Sequence, residues 1–201
     1  MSSSALAAAG SPVPASTEST RRTLSARQAA TVQKLTVAAV EQLREHGYEG
    51  LTVRNVARAA GVAPATAYTY FTSREHLVTE VFWRRLQAMP ETRVDRRRTA
   101  AARAGATMSD FALLVADEPE LAAACTVAML AADPDVKLLR DRIGAEWHRR
   151  LVAALGDDAD PAVLATLEFV ISGALLQAGM GHMTYLELPG HLTRAVDLVL
   201  D

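Results

Sequence analysis

The sequence predicts an all-α protein, with a three-helix unit near its start and a larger helical region after it. Two observations lead there. Apolar residues recur at steps of three and four through most of the chain, and no stretch alternates with the period of two that a strand needs. Proline, glycine and acidic clusters then cut this helical pattern into segments of ordinary helix length.

The first segment, 26–46, contains neither Gly nor Pro, and Val32, Leu35, Ala39 and Leu43 fall on one helical face. Gly47 follows where a left-handed cap residue is wanted, and Tyr48 is placed to fold back on the preceding turn. Thr52 reads as the N-cap of a second helix; Asn55, where Glu or Gln would be preferred, leaves its capping box incomplete. Val53, Val56, Ala57 and Ala60 give that helix a narrow apolar stripe, and the small Ala57 suits a close helix crossing. Gly61 supplies the turn, Val62 plugs the corner, and Pro64 opens a third helix at a position that needs no N–H.

In that third helix Ala67 and Phe71 should face inward. Ala65, Thr66 and Thr69 share the opposite side, with Tyr68 on its flank. Thr72 with Glu75 forms a capping box for a fourth helix, whose apolar pairs Leu77/Val78 and Val81/Phe82, with Leu86, run on until Pro90. Two short helices around a glycine turn form a helix-turn-helix, which can present one helix end to a groove of duplex DNA. The alternative reading is a small helical hairpin inside a larger core. Each cue is common alone; the joint spacing is specific.

Residues 30–80 resemble the DNA-binding domain of the TetR family of bacterial transcriptional regulators. The resemblance rests on Gly47-Tyr48, Thr52-Val53-Arg54, Ala57, Ala60-Gly61-Val62, Thr66 to Phe71, Ser73-Arg74-Glu75 and Leu77, about a quarter of the chain. It implies a regulator that binds a palindromic double-stranded DNA operator through the major groove, most often a ligand-responsive, homodimeric repressor. By that resemblance the DNA-facing residues are Thr52, Arg54, Pro64, Ala65, Thr66, Tyr68, Thr69, Tyr70 and Arg74. Arg54 reaches a base edge or phosphate, Tyr68 and Tyr70 a phosphate or methyl group, and Arg74 a phosphate. Two departures stand out. Ala63 replaces a hydroxyl residue that often opens the third helix, and Pro64-Ala65 replaces residues able to hydrogen-bond bases, shifting readout towards Arg54, Thr66 and apolar contacts.

The formal net charge of −2 conceals an uneven distribution. Residues 21–98 hold 14 Lys and Arg against 7 Asp and Glu, whereas 99–201 hold 7 against 15. A basic part joined to an acidic one fits DNA contact confined to the first part. The single cysteine, Cys125, excludes an intrachain disulfide and suits a reducing compartment; its apolar setting suggests a buried, inert thiol. Residues 1–22, rich in Ser, Ala and Pro, read as a disordered tail without a signal peptide's charge pattern, with Arg21 and Arg22 available as a DNA-contacting arm. No uninterrupted apolar stretch of membrane-spanning length is expected, so the reading is a cytoplasmic protein with no membrane partner.

The domains expected are 1–22 as tail, 23–72 as the helix-turn-helix domain, 73–90 as a connecting helix and 91–201 as an effector-binding and dimerisation domain. Within the last, helices are expected over 102–116, 119–131, 134–155, 161–182 and 189–200, after a basic connector at 93–103. Leu164, Leu167, Val170, Ile171, Ala174, Leu175 and Ala178 make 161–182 apolar around much of its circumference. Such a helix lies deep in a core or is shared with another chain; the resemblance implies a homodimer through 161–182 and 189–200. Phe111, Leu114, Met129, Trp147, Leu151, Phe169, Leu176 and Met180 are candidates to line a pocket for a small lipophilic effector, although such side chains equally build cores. Arg140, Arg142, His148 and Glu187 are candidates for a polar contact there.

Enzymatic function finds no support. The five histidines (46, 76, 148, 182 and 191) form no tight ligand pair, and the Asp157, Asp158 and Asp160 cluster completes no calcium loop. Ser172 lacks a nucleophile elbow, and no phosphate-cradling glycine loop occurs. No metal or cofactor is expected. A helical adaptor that binds protein alone is a further reading, and the basic first half argues against it.

Overall fold

A computed structural model of the chain describes residues 25–91, 95, 97–156 and 159–200. Its regular structure consists of helices: α1 (Ala26–Gly50), α2 (Val53–Ala59), α3 (Pro64–Tyr68), α4 (Arg74–Ala88), α5 (Ala100–Ala112), α6 (Pro119–Met129), α7 (Pro134–Leu155), α8 (Pro161–Gly179) and α9 (Leu188–Leu200). Short 3-10 turns cover Leu113–Val115 and Tyr185–Glu187. The expected tail with its Arg21-Arg22 arm, Arg93 and Arg96 of the basic connector, and Asp157-Asp158 lie outside the described residues.

The first four helices close around one apolar centre. Val32, Leu35, Ala39 and Leu43 of α1 are buried, and so are Val53, Val56 and Ala57 of α2, Ala67 of α3 and Phe71. Ser25 caps α1 with a reciprocal box to Gln28. The α1 path bends at Gly47, whose φ of 65° is strained for residues with a Cβ, and the next residues swing Tyr48 towards α4. At the α2–α3 turn Gly61 has φ 64°, and the Val62 N–H bonds the Ala57 carbonyl at 2.9 Å, closing a left-handed helix end.

The cap of α4 is not Thr72. Ser73 takes that role, its Oγ accepting from the His76 N–H at 3.0 Å. The Thr72 hydroxyl instead donates to Asp135 of α7 at 2.8 Å, a contact only the tertiary fold creates. Ser73 Oγ also donates to Asp133, the N-cap of α7, at 2.6 Å. The N-termini of α4 and α7 are thereby joined through their own cap residues.

The other end of α4 is held by α7 too. Arg150 is 2% exposed, and its guanidinium donates to the Pro90, Met89 and Leu86 carbonyls at 2.8, 3.1 and 3.4 Å while Nε bonds Glu146 at 2.7 Å. The Leu86 carbonyl also accepts from the Met89 N–H, whereas those of Met89 and Pro90 lie past the last helical turn, so one buried arginine caps α4. In the last turn of α4, Arg85 pairs with the buried carboxylate of Glu118, which begins α6, and Arg44 of α1 lies 3.1 Å from the same group.

Beyond α4, α5 packs against α7 and α9, and α8 against α6, α7 and α9. Of the apolar residues of α8 only Leu164, Leu167, Ile171 and Ala178 are buried, while Phe169 is 77% exposed and Leu176 and Met180 are also uncovered. On α9, Leu198 is 84% exposed. By length and composition α8 is long and apolar enough to cross a membrane, but it is not an uninterrupted apolar stretch: Glu168 lies within it, and His148 of α7 stands 2.7 Å from that carboxylate.

Candidate functional site

The outer surface of α2 and α3 is built from the side chains that the core leaves over. With Val53, Val56, Ala57 and Ala67 turned inward, Thr52, Arg54, Pro64, Ala65, Thr66, Tyr68 and Thr69 are all exposed, and Tyr70 is half-buried against the core. Thr52 caps α2, its hydroxyl accepting from the Asn55 N–H at 3.1 Å. Ala63 provides no side-chain cap for α3, in keeping with its missing hydroxyl. Thr69 turns its hydroxyl back onto the Ala65 and Thr66 carbonyls at 3.1 and 2.8 Å, so it presents mainly its methyl group outward. The face is therefore flat and short-chained, with Arg54 its long cationic reach and Tyr68 an exposed aromatic edge. A backbone carrying such residues can approach base edges and phosphates closely.

Arg74 sits differently from the rest. Its Nη1 donates to the Tyr48 carbonyl at 3.0 Å, its Nε to Glu75 at 3.0 Å, and its guanidinium carbon lies 4.3 Å over the Tyr48 ring. The Tyr48 hydroxyl completes the clamp by donating to Glu75 at 2.9 Å. Burial, then the Glu75 hydrogen bond, push the Tyr48 phenol up to about 12. Burial would raise the Glu75 carboxyl as well, but bonds from its own backbone N–H, Arg74 and Tyr48 hold it below the usual carboxylate range. Beside the phosphate contact expected of it, Arg74 in this structure ties the end of α1 to the start of α4. The expected fold-back of Tyr48 on α1 gives way to the same clamp. Sequence spacing contained no signal for it, since Tyr48 and Arg74 are 26 residues apart.

A second feature is an apolar cavity of about 310 Å³ between α4, α5, α6, α7 and α8, floored by the 185–187 turn. Of the eight residues expected there, Phe111, Met129, Trp147 and Leu176 line it. The other four do not. Leu151 is fully buried in packing, Phe169 and Met180 point from α8 to the outside, and Leu114 borders a separate polar groove beside Arg85 and Arg103. Helical periodicity cannot say which side of an almost wholly apolar helix faces in, and that accounts for the misplaced α8 residues. Arg140 lines the cavity, unlike Arg142, His148 and Glu187.

Phe82, Ile143 and Tyr185 join the wall without having been singled out from the sequence. The spacing of Arg140, Ile143, Gly144 and Trp147 on one face of α7 was the available signal. Phe111 stacks at a tilt on Trp147, 4.5 Å between ring centroids, and the Trp147 indole N–H has no acceptor among the described residues. Cys125 is also in the wall, and burial pushes its thiol up to about 12, which keeps it protonated and unreactive. No group of His, Cys, Asp and Glu able to hold a metal ion occurs among the described residues.

Comparison with known proteins agrees with this anatomy. The family profile described as "Bacterial regulatory proteins, tetR family" matches residues 35–81. Uncharacterised HTH-type transcriptional regulators from Mycobacterium bovis and Mycobacterium tuberculosis H37Rv are each 48% identical over 176 residues, covering 87% of this chain and 82% of the relative. Among solved structures, a TetR transcriptional regulator from Rhodococcus sp. RHA1 superimposes with a TM-score of 0.71 at 22% identity, covering 88% of this chain and 98% of that one. FadR from Bacillus subtilis, solved in complex with stearoyl-CoA, gives 0.64 at 18% identity and covers 84% and 99%. These relatives and this fold are those of transcriptional regulators rather than enzymes. The chain belongs to the TetR family of bacterial transcriptional regulators and is a DNA-binding, helix-turn-helix protein.

Proposed function

We propose that this regulator acts as a homodimeric, ligand-responsive repressor that reads a palindromic operator through successive major grooves. The observation that carries this reading is the coexistence of two uncovered surfaces in one chain. One is the short-chained outer face of α2–α3; the other is the apolar face of α8 with Phe169, Leu176 and Met180. A soluble monomer rarely leaves so apolar a helix face in water, whereas a second copy packed on α8 and the exposed flank of α9 would cover it. Dimerisation through 161–182 and 189–200 also spares these residues any membrane role and suits a cytoplasmic protein.

In that dimer two α3 helices enter grooves about one helical turn apart, roughly 34–36 Å. Arg54, Thr66 and Tyr68 contact base edges and phosphates; Thr52, Pro64, Ala65, Thr69 and Tyr70 set how closely the backbone approaches. Arg74 acts chiefly by orienting the α3–α4 corner and secondarily through its remaining exposed edge. The cavity holds a small lipophilic effector. Because α4 crosses its wall at Phe82 and is gripped by α7 at both ends, a ligand that shifts α7 relative to α4 changes the separation of the reading heads. Operator and effector then weaken each other by the same factor.

The test is fluorescence anisotropy on a duplex from upstream of the protein's own gene, across a series of salt concentrations, with stoichiometry from sedimentation. The expectation is two chains per site and a log-affinity that falls linearly with log salt, by about 0.9 per phosphate neutralised. A monomer that binds no duplex at low salt overturns the proposal.

A further inference from the structure

We propose that the cavity is selective for an amphipathic monoanion, an apolar acyl or aryl body bearing one carboxylate-like head, and that Arg140 holds that head. The inference rests on the effector-site reading above and gives it a chemical class.

Among the described residues Arg140 is the one charged side chain in the cavity wall. Its hydrogen bonds run from a single nitrogen, Nη1, to the Met129 and Ala131 carbonyls at 2.5 and 3.1 Å, and no acidic side chain pairs with it among the described residues. Two carbonyls at the end of α6 offer partial charges, not a counter-ion, and the guanidinium keeps donors in hand. A half-buried cation beside an apolar volume gains most from an anion that also fills that volume. Tyr185 bonds the Ala122 carbonyl and lies 3.2 Å from the Thr126 hydroxyl, and Ser172 donates to the Glu168 carbonyl, so these hydroxyls of the wall offer little competition for the head. The Trp147 indole N–H, without an acceptor among the described residues, stands about two turns of α7 away from Arg140.

The body of the ligand has a defined track. Arg140, Ile143, Gly144 and Trp147 share one face of α7, and seven residues of helix span about 10 Å from the guanidinium to the Phe111–Trp147 wall. Gly144 leaves the middle of this track bare, with no heavy atom within 4 Å of where its Cβ would stand. A chain or ring can lie against the helix backbone there.

The test is isothermal titration calorimetry of the full-length protein with decanoate and with 1-decanol, each below its aggregation concentration. Wild-type protein is expected to bind decanoate about tenfold more tightly, the increment of a charge-assisted bond. R140Q should bring the ratio close to one and R140K should keep part of it. G144L, which adds bulk in the track while favouring the helix, should weaken both probes together. Equal affinities in wild-type protein, or a ratio that survives R140Q, would overturn the anion assignment while leaving the cavity as an effector site. Failure of both probes to bind would overturn the anion assignment and the effector role of the cavity together. DNA binding, read separately by anisotropy, stands or falls independently of either result.

Discussion

Replacing Arg150 by Met should be among the most damaging changes available outside the apolar core. Methionine keeps much of the arginine stem's volume, so the loss isolates the polar network. Of the three α4-end carbonyls, Pro90 and Met89 are held at 2.8 and 3.1 Å, whereas the Leu86 bond is long at 3.4 Å and contributes less. Glu146 does not become an orphan, because Arg149 also bonds it at 2.7 and 2.9 Å. The loss therefore reduces to two well-made carbonyl bonds in a part-buried setting. At ~1–3 kcal/mol for each acceptor left unsatisfied, the sum is ~2–6 kcal/mol. For a chain of this size each kcal/mol moves the melting temperature by about 2–4 °C, so a drop near 10 °C is expected. Circular dichroism melts at one fixed protein concentration, as the proposed dimerisation requires, read this directly. Arg150→Lys should fall between, since an ammonium cannot reproduce the planar fork. A melting temperature within about 2 °C of wild type for Arg150→Met would refute the claim that this side chain caps α4.

Other substitutions address the remaining joints. Arg54→Ala should lower the salt slope of DNA binding by about one unit without altering the melting temperature, whereas Arg74→Ala should lower both affinity and melting temperature because it opens the Tyr48–Glu75 clamp. If Arg74→Ala melts like wild type, the clamp is not structural. Gly61→Ala meets no steric obstacle but must hold φ near 64°, so a cost of ~1–2 kcal/mol is expected in chemical denaturation; a neutral result would contradict the turn geometry. At Gly179 the problem is space, since a Cβ there would overlap the Thr126 side chain, and Gly179→Ala should cost ~1–3 kcal/mol and disturb the cavity floor, checked by decanoate titration.

Asp133 gives a pH-dependent prediction. Its hydrogen bond from Ser73, then those from the Asp135 and Val136 N–H groups, outweigh desolvation and hold its carboxyl below the usual range. A depressed carboxyl stabilises the fold above its unfolded value of about 3.9, and that contribution fades as pH falls through the lower folded value. Asp133→Asn should therefore lose stability at neutral pH and show a shallower decline in acid. Parallel curves for the two proteins would remove Asp133 from the account.

The four N-terminal helices were legible because their signals are local. Gly61 needed a positive φ, Pro64 needed a helix start, and Val56, Ala57 and Ala67 had to be inside for the crossing to close. The cap of α4 was not, because Thr72 and Ser73 both satisfy the cap pattern and the choice depends on Asp133 and Asp135, some 60 residues later. Separation along the chain also hides Arg150, 60 residues from Pro90, and the Tyr48–Arg74–Glu75 clamp, whose ends are 26 residues apart. On α8 the sequence carried apolar residues on every side, so only packing decided that Leu167 and Ile171 turn in while Phe169 and Met180 turn out. Two of the four expected pocket residues that lie outside the cavity, Phe169 and Met180, belong to that helix and its C-cap.

Hydroxyl-radical footprinting on a duplex selected from a random pool tests the central claim most directly. Two reading heads fixed by one dimer should protect two patches on the same face, related by a dyad and about 10 base pairs apart centre to centre. A single patch, or protection spread evenly without a dyad, would contradict the paired arrangement of α3 helices.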